Sequence, residues 1–441
     1  MIQWYPHQVQ ALNETNNKTH VAYYMDMGLG KTFVGAEKMV RLGNRLNILV
    51  CQKSLISTWI QHFETYYPQY EVIDMTVNKS SQYYLENKDR IDRCILIVNY
   101  ELIFRRKFFL QLEGFTLMLD ESSMIQNESA KRSKFILKLK PDNVILLSGT
   151  PTAGKYENLW SQLHLLKWRI SKKLYWKQYI ETEYIEANGF PIKTVTGYKN
   201  VDRLKMKLHQ HGAVFMKSEE VFDLPDMIHQ NIILSSTKEY RKFMRTSIIT
   251  MDTSNLCEFK DDSDFYGVDM TPRVELIGET VLTKRLYSRM LCGHFNKEKL
   301  DALKDLFTST EDRLIVFYNF NEELAAIKKL IGDRPISIVN GKVKDLSAYE
   351  QHDNSITLVQ YQAGAMGLNL QKANKIIYFT LPERSELFEQ SKKRIHRIGQ
   401  TKRCFYYYLI TRNSVEEDVL ETLKMRKDYT DELFKAFEQK H

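Results

Sequence analysis

The sequence predicts an α/β protein of two lobes, each a parallel sheet with crossover helices, joined by a helical region. Three observations lead there. Short apolar runs recur in two series, one within residues 21–160 and one from Lys297 onward. The runs are unbroken rather than alternating, the pattern of strands covered on both faces. Each meets polar or Gly-containing sequence at its C-terminal end, with helix-like stretches between, as parallel crossovers require. The third is length: 441 residues exceed what one ordinary core serves.

In order, the first series is VAYYM, NILVC, ILIVNY, FTLMLD and NVILLS. Residues 161–235 are Lys/Tyr/Trp-rich and complete a first lobe over 1–235, with a helical insertion at about 165–210. Residues 236–295 are polar, with DDSDFYG in their middle, and form a connector carrying some helices. The second series is RLIVFY, PISIVN, ITLVQY, KIIYFT and FYYYLI, the strands of a lobe over 296–441 that ends in a helix. No 20–50-residue repeat or low-complexity tract is evident.

Composition narrows the class. A hydrophobic fraction of 43% with 12% aromatic residues excludes a disordered chain. The net charge of +8 is compatible with a polyanionic partner. Five scattered cysteines form no C-x-x-C pair, so neither a zinc ribbon nor a disulfide framework is indicated. Cys292 and His294 are close, but no second ligand pair follows. MIQWYPHQ lacks the charged and apolar regions of a signal peptide, and no apolar run approaches bilayer length. The expectation is a cytoplasmic protein with no membrane partner.

The strongest motif is MDMGLGKT, Met25 to Thr32, directly after VAYY. A glycine-rich turn lets backbone N–H groups approach phosphates, and the helix that follows adds its positive end. Met27, Gly28, Leu29 and Gly30 form the turn, Lys31 reaches the β- and γ-phosphates, and the Thr32 hydroxyl binds Mg²⁺. The strict pattern wants glycine where Met25 stands. A phosphate loop needs an acidic strand end, and FTLMLDESS supplies one. Asp120 is placed to hold Mg²⁺ through water, and Glu121 to orient or deprotonate the attacking water. The expected cofactors are ATP and Mg²⁺. LLSGTPTAG, Leu146 to Gly154, is another strand ending in small hydroxyl residues.

Two further stretches are open on their residues alone. In QSKKRIHRIGQ, Arg394 and Arg397 are spaced to share a helix face, which suits either an anion or a solvated basic face. In KWRISKKLYWKQY, a basic-aromatic face could track a nucleic-acid backbone or be a solvated amphipathic helix.

DMGLGKT, DESSMIQN, SGTPTAG, AGAMGLNL and RIHRIGQ occur in the order of superfamily-two helicase-like ATPases, and GLGKT with GLNL and HRIGQ resembles the SWI/SNF-type (Snf-two) branch. The resemblance covers nearly the whole chain. It implies two RecA-like lobes and an ATP-driven translocase on double-stranded DNA. Gln8 in YPHQ resembles the adenine-reading element. ILVCQKSLISTW resembles a DNA-contacting segment, here Lys53 and Ser54, and IVNYELI the next, with Asn99 and Tyr100. SGTPTAG resembles the coupling segment, and its Thr150 is expected at the nucleic acid. In QAGAMGLNL, Gln362 and Gly364 are expected at a DNA phosphate, and Gly367 at the nucleotide side of the same turn. Arg394 and Arg397 resemble arginine fingers that reach the γ-phosphate from the second lobe. Gln390 and Gln400 are expected to help position the nucleotide, and His396 to be structural. MKSEEVFDLPDMI resembles the end of the first lobe.

The sequence departs from the family pattern in three places. Ser122 and Ser123 stand where Ala-His usually follows Asp-Glu. Phe215 and Met216 replace paired arginines. The helical protrusions are short, and no targeting module has room within these residues, which disfavours a chromatin remodeller and suggests a compact bacterial or phage protein, monomeric, with a replication or recombination partner. The rival functions are a strand-separating helicase and a DNA-binding clamp that uses ATP without processive movement.

Overall fold

A computed structural model describes residues 2–187, 190–252, 273–364 and 368–434. The chain divides into two compact units, Met1–Asp223 with Arg426–His441, and Leu224–Met425.

The first unit holds a seven-stranded sheet. Its strands are β1 (His20–Met25), β2 (Leu46–Cys51), β3 (Glu71–Asp74), β4 (Cys94–Asn99), β5 (Phe115–Asp120) and β6 (Asn143–Ser148). A separate hairpin follows, β7 (Ile180–Ala187) and β8 (Phe190–Tyr198), and then β9 (Ala213–Met216) closes the sheet. The order is β3-β4-β2-β5-β6-β1-β9, and every pairing in it is parallel. Successive residues of one strand point to opposite faces. Thus Tyr24, Val50, Val98 and Leu119 lie in one apolar cluster, and Tyr23, Leu49, Ile97 and Met118 in the cluster on the other side. Burial on both faces is why the runs are continuous in sequence.

The second unit repeats the plan. It contains β10 (Met227–Leu234), a small hairpin of β11 (Ile248–Asp252) and β12 (Arg273–Ile277), then β13 (Leu314–Tyr318), β14 (Ile336–Val339), β15 (Lys344–Asp345), β16 (Ile356–Gln360), β17 (Lys375–Tyr378) and β18 (Cys404–Thr411). The sheet order is β10-β18-β17-β13-β16-β14-β15, parallel except for the β14–β15 pair. Both units are therefore RecA-like lobes in architecture. Its core contains a buried ion pair. Lys299 Nζ lies 2.6 and 2.7 Å from the two carboxylate oxygens of Glu416 and 3.1 Å from the Phe379 carbonyl.

Several boundaries differ from the sequence expectation. The first lobe ends at Asp223, not 235, because β10 pairs with β18 over eight residues and so belongs to the second sheet. The 236–295 region is part of the second unit rather than a free-standing connector, and DDSDFYG lies outside the described residues. The terminal helix Val415–Phe434 is shared. Val415, Val419 and Leu423 enter the second unit's core, whereas Leu433 and Phe434 enter the first unit's. The insertion is not all helical. Helices Lys172–Tyr179 and Val201–Gln210 flank the antiparallel β7–β8 hairpin, rooted by Ile180 and by Tyr198 stacked 4.3 Å from Tyr156.

Candidate nucleotide site

β1 leads into the turn Asp26–Gly30, and helix Lys31–Leu42 follows. Gly28 and Gly30 have φ of +88° and +74°, in the left-handed region where a side chain is strained. At Gly30 there is also no room, since a Cβ would meet Gln8 Nε2 at 2.2 Å. The turn is held from behind. Gln8 Nε2 donates to the Leu29 carbonyl at 3.2 Å, and His7 Nε2 lies 3.0 Å from the same oxygen. Gln8 Oε1 accepts from the Tyr5 amide. Gln8 is thus buried against the loop with both ends of its amide engaged.

Asp26 is tied to a segment far along the chain, accepting at Oδ2 from the Ser218 amide at 3.2 Å and the Ser218 hydroxyl at 3.0 Å. Lys31 opens the helix, and Thr32 follows, partly exposed. The Lys31 ammonium reaches the SGT turn, since a Cβ on Gly149 would lie 3.5 Å from Lys31 Nζ.

Asp120 ends β5 and Glu121 follows it, beside this loop. Trp59 Nε1 donates to Asp120 Oδ2 at 2.7 Å. Desolvation pushes the Asp120 carboxyl up to about 6, a rise that the Trp59 hydrogen bond and the nearby Lys31 ammonium moderate. Glu121 has φ of +58°, and its Oε1 accepts two hydroxyls, Ser148 at 2.6 Å and Ser123 at 2.8 Å. Ser148 Oγ also accepts the Thr150 amide at 3.1 Å. One hydroxyl therefore joins the acidic strand end to the SGT turn. A second link runs in parallel: Ser122 donates to Gln162 Oε1 at 2.8 Å, and Gln162 Nε2 donates to the Pro151 carbonyl at 2.8 Å.

In the second unit, Arg394 is buried at 4% exposure and its Nη1 reaches the Leu368 carbonyl. Arg397 is half-buried, and desolvation lowers its pKa. The two do not share a helix face as the spacing suggested, because helix Ser385–Lys392 ends before them and they lie in the turns that follow.

A family model described as "SNF2-related domain" matches residues 15–277, and one described as "Helicase conserved C-terminal domain" matches 298–399. This chain belongs to the SNF2-related family. It is 23% identical, over 94% of its length, to Protein CHROMATIN REMODELING 5 of Arabidopsis thaliana, covering 26% of that protein. It is 22% identical, over 96% of its length, to the ISWI chromatin-remodeling complex ATPase of Saccharomyces cerevisiae, covering 40%. It is also 23% identical, over 91% of its length, to an uncharacterized ATP-dependent helicase of Mycoplasma genitalium, covering 39%. The chain thus spans between about a quarter and two fifths of these relatives. Among solved structures it is similar to a Sulfolobus solfataricus SWI2/SNF2 ATPase core in complex with dsDNA, with a TM-score of 0.45 at 19% identity over 98% of this chain and 92% of that one.

The departures from the SNF2 pattern now have a physical content. Ser123, in the usual histidine position, turns its hydroxyl onto Glu121, while Ser122 reaches Gln162. Phe215 lies 5.1 Å from the ring of Tyr24 and 5.2 Å from that of Phe434, so aromatic packing replaces the basic pair.

The expected nucleic-acid residues separate by accessibility. Lys53 and Ser54 are exposed just past the end of β2, and Gln362 is exposed after β16. Gly364 ends the short helix Tyr361–Gly364, and Gly367 lies outside the described residues. Tyr100 requires correction as a DNA contact. It is fully buried, and its hydroxyl donates to the Asp120 and Glu121 carbonyls at 3.0 and 3.3 Å, so it supports the acidic strand end. Asn99 is buried and donates to Glu101, and the Thr150 hydroxyl is buried without a hydrogen-bond partner among the described residues. Gln390 is buried in helix Ser385–Lys392. Gln400 donates to the Gln371 and Ala373 carbonyls, which makes it a tie between loops rather than a free ligand group. His396 lies 2.9 Å from the Pro225 carbonyl. In KWRISKKLYWKQY, Tyr175 and Tyr179 turn into the core and Trp168 stacks on His211, while Trp176 stays partly exposed with the Lys172 and Lys193 ammonium groups 5.9 and 5.6 Å from its ring.

Sequence reasoning missed Trp59, Gln162, Ser218 and the roles of Ser123 and Ser148. Ser148 had a signal, a hydroxyl at the end of a strand, β6, which pairs directly with β5. Trp59, Gln162 and Ser218 had none, because each acts on residues distant in sequence.

Proposed function

We propose that this chain is an ATP-hydrolysing motor that tracks along double-stranded DNA. The observation that carries this reading is the sharing of Ser148 between Glu121 and Thr150. The carboxylate that orients the attacking water accepts a hydrogen bond from the same hydroxyl that fixes the SGT backbone. A change at the γ-phosphate that moves Glu121 must then move this turn, which is what a motor needs and a passive clamp does not. Lys31 holds phosphate, Glu121 orients water, and Arg397 stabilises charge on the transferring phosphoryl group.

The donor set fits Mg²⁺. The Thr32 hydroxyl and Asp120 carboxylate are hard oxygen ligands, and this ion keeps its other positions for water and phosphate. Among the described residues, no group of three His, Cys, Asp or Glu could cage a metal. When bound, the ion neutralises charge on the phosphoryl oxygens.

Exposed Lys53, Ser54 and Gln362 are the groups available to a phosphate backbone. A strand-separating helicase needs a wedge, and the exposed β7–β8 hairpin has a suitable form. Its charge opposes that role, since it carries Glu181, Glu183 and Glu186 against Lys193 alone.

The test is ATPase rate without DNA, with single strands and with duplex, across salt. Duplex should stimulate most, independently of sequence and less as salt rises. A third strand wound into the duplex should be displaced while a forked duplex stays annealed. Efficient ATP-dependent fork unwinding would favour the helicase, and stimulation by RNA alone would overturn the DNA assignment.

A further inference from the structure

Two helices of the second unit, Lys238–Thr246 and Val281–Cys292, carry most of the chain's basic excess. Lys238, Arg241, Lys242, Arg245, Lys284, Arg285 and Arg289 face a single acid, Glu239, giving the pair a net charge of +6 against +8 for the whole chain. Arg285 and Arg289 pair with Glu383. Among the described residues, no carboxylate lies in ion-pair range of the other five cations. Between the helices is a cavity of about 920 Å³. One wall is Tyr240, Arg241, Met244 and Arg245, the opposite wall is Val281, Lys284, Arg285 and Ser288, and Asn413, Ser414 and the start of helix Val415–Phe434 close the end. Each wall follows helical spacing, so the cavity is a groove whose walls are tied together where Lys284 Nζ donates to the Met244 carbonyl at 2.9 Å and Ser288 Oγ to Met244 Sδ at 3.3 Å.

The rim is also apolar where a soluble surface would not be. Val281 and Leu282 are 79% and 78% exposed, and Met244 and Leu286 are each 40% exposed. Arg241, Arg245 and Lys284 donate to the Ser236, Arg241 and Met244 carbonyls, and almost fully hydrated aliphatic side chains among cations that no described carboxylate neutralises mark a surface that another molecule covers.

We propose that this groove binds a short amphipathic helix of a partner protein, acidic along one edge and aliphatic along the other. Carboxylates of the partner meet Arg241, Arg245 and Lys284, and its aliphatic face covers Met244, Val281 and Leu282. The wall from Val281 to Ser288 is about 10 Å long at 1.5 Å per residue, which suits about two turns of helix. A nucleic-acid backbone fits less well. It would use the cations, gain nothing from Val281 and Leu282, and meet Glu417 and Asp418 at the closed end. The same two acids give the partner helix a direction, because its end there must be neutral or basic.

The test is a display library of random helical peptides panned on the full chain, counter-panned on the Arg241→Glu/Arg245→Glu variant. Peptides enriched on the wild type should carry Asp or Glu at i, i+4 spacing beside aliphatic residues. As labelled synthetic peptides they should lose at least 10-fold affinity for that variant and for Val281→Ser/Leu282→Ser. Val281 and Leu282 are surface positions, so the second variant tests the groove in a protein whose core is untouched. Basal ATPase rate should be unchanged in both. The proposal is overturned if no peptide is enriched, if enriched peptides bind both variants as well as wild type, or if the charge-reversed variant instead loses affinity for a short DNA duplex.

Discussion

Ser123→Ala tests whether the hydroxyl in the SNF2 histidine position serves catalysis. The substitution removes one of two donors to Glu121 Oε1, the one at 2.8 Å, and leaves Ser148 at 2.6 Å. Ser123 is buried at 4% exposure, so the methyl group it leaves behind admits little water. A hydrogen bond to a charged group is worth about 1.5–3 kcal/mol. Lost entirely from the transition state, that corresponds to about 10- to 150-fold in rate, at 1.36 kcal/mol per decade. Ser148 shares the same oxygen and the left-handed backbone at Glu121 persists, so the lower end is expected. The prediction is a fall in kcat of about 10-fold, with KM for ATP changed by less than about twofold, because only water orientation is affected. Ser123→Thr keeps the hydroxyl and should recover most of the rate. Steady-state ATPase under saturating duplex DNA measures all three proteins, with circular dichroism to confirm folding. An unchanged kcat in Ser123→Ala, or a raised KM at constant kcat, would refute the two-hydroxyl clamp.

The two arginines of RIHRIGQ should behave differently. Arg397→Ala should still bind ATP and fold normally but hydrolyse at least ~100-fold more slowly, whereas Arg394→Ala, which empties a buried position, should lower the melting temperature; equal melting losses in both would reject the division. Lys299→Met leaves Glu416 buried without its partner, so about 3–5 kcal/mol of stability should be lost in urea unfolding, and a change under about 1 kcal/mol would show the pair is not buried as described. Glu323 is pushed up to about 7 by burial, against hydrogen bonds from the Asn319 and Phe320 amides and the Thr380 hydroxyl. Its folded-state pKa lies above the unfolded value, so its contribution is full below about 4.5 and is lost as pH rises through 7. Glu323→Gln should therefore gain stability relative to wild type as pH rises from about 4.5 to about 7, and the opposite slope would be decisive against the assignment.

Local chemistry was readable without a structure because it is contiguous. A phosphate loop needs glycines, a lysine and a hydroxyl in one turn before a helix, so Gly28, Gly30, Lys31 and Thr32 appear together. Strands buried on both faces must be apolar throughout, so ten of them showed as unbroken runs. Strands with an exposed or short path did not. β7 and β8 alternate Glu and Thr with apolar residues and passed for helix, and β10 was assigned to the wrong lobe because nothing within it says that β18 is its neighbour. The same limit holds at the site. Trp59 meets Asp120 across 61 residues and Ser218 meets Asp26 across 192. Whether Arg394 or Arg397 stays accessible depends on where one helix stops. These are consequences of packing, where hydrogen-bond geometry and exclusion of water select among side chains that the sequence leaves equivalent, and only the folded chain makes that selection.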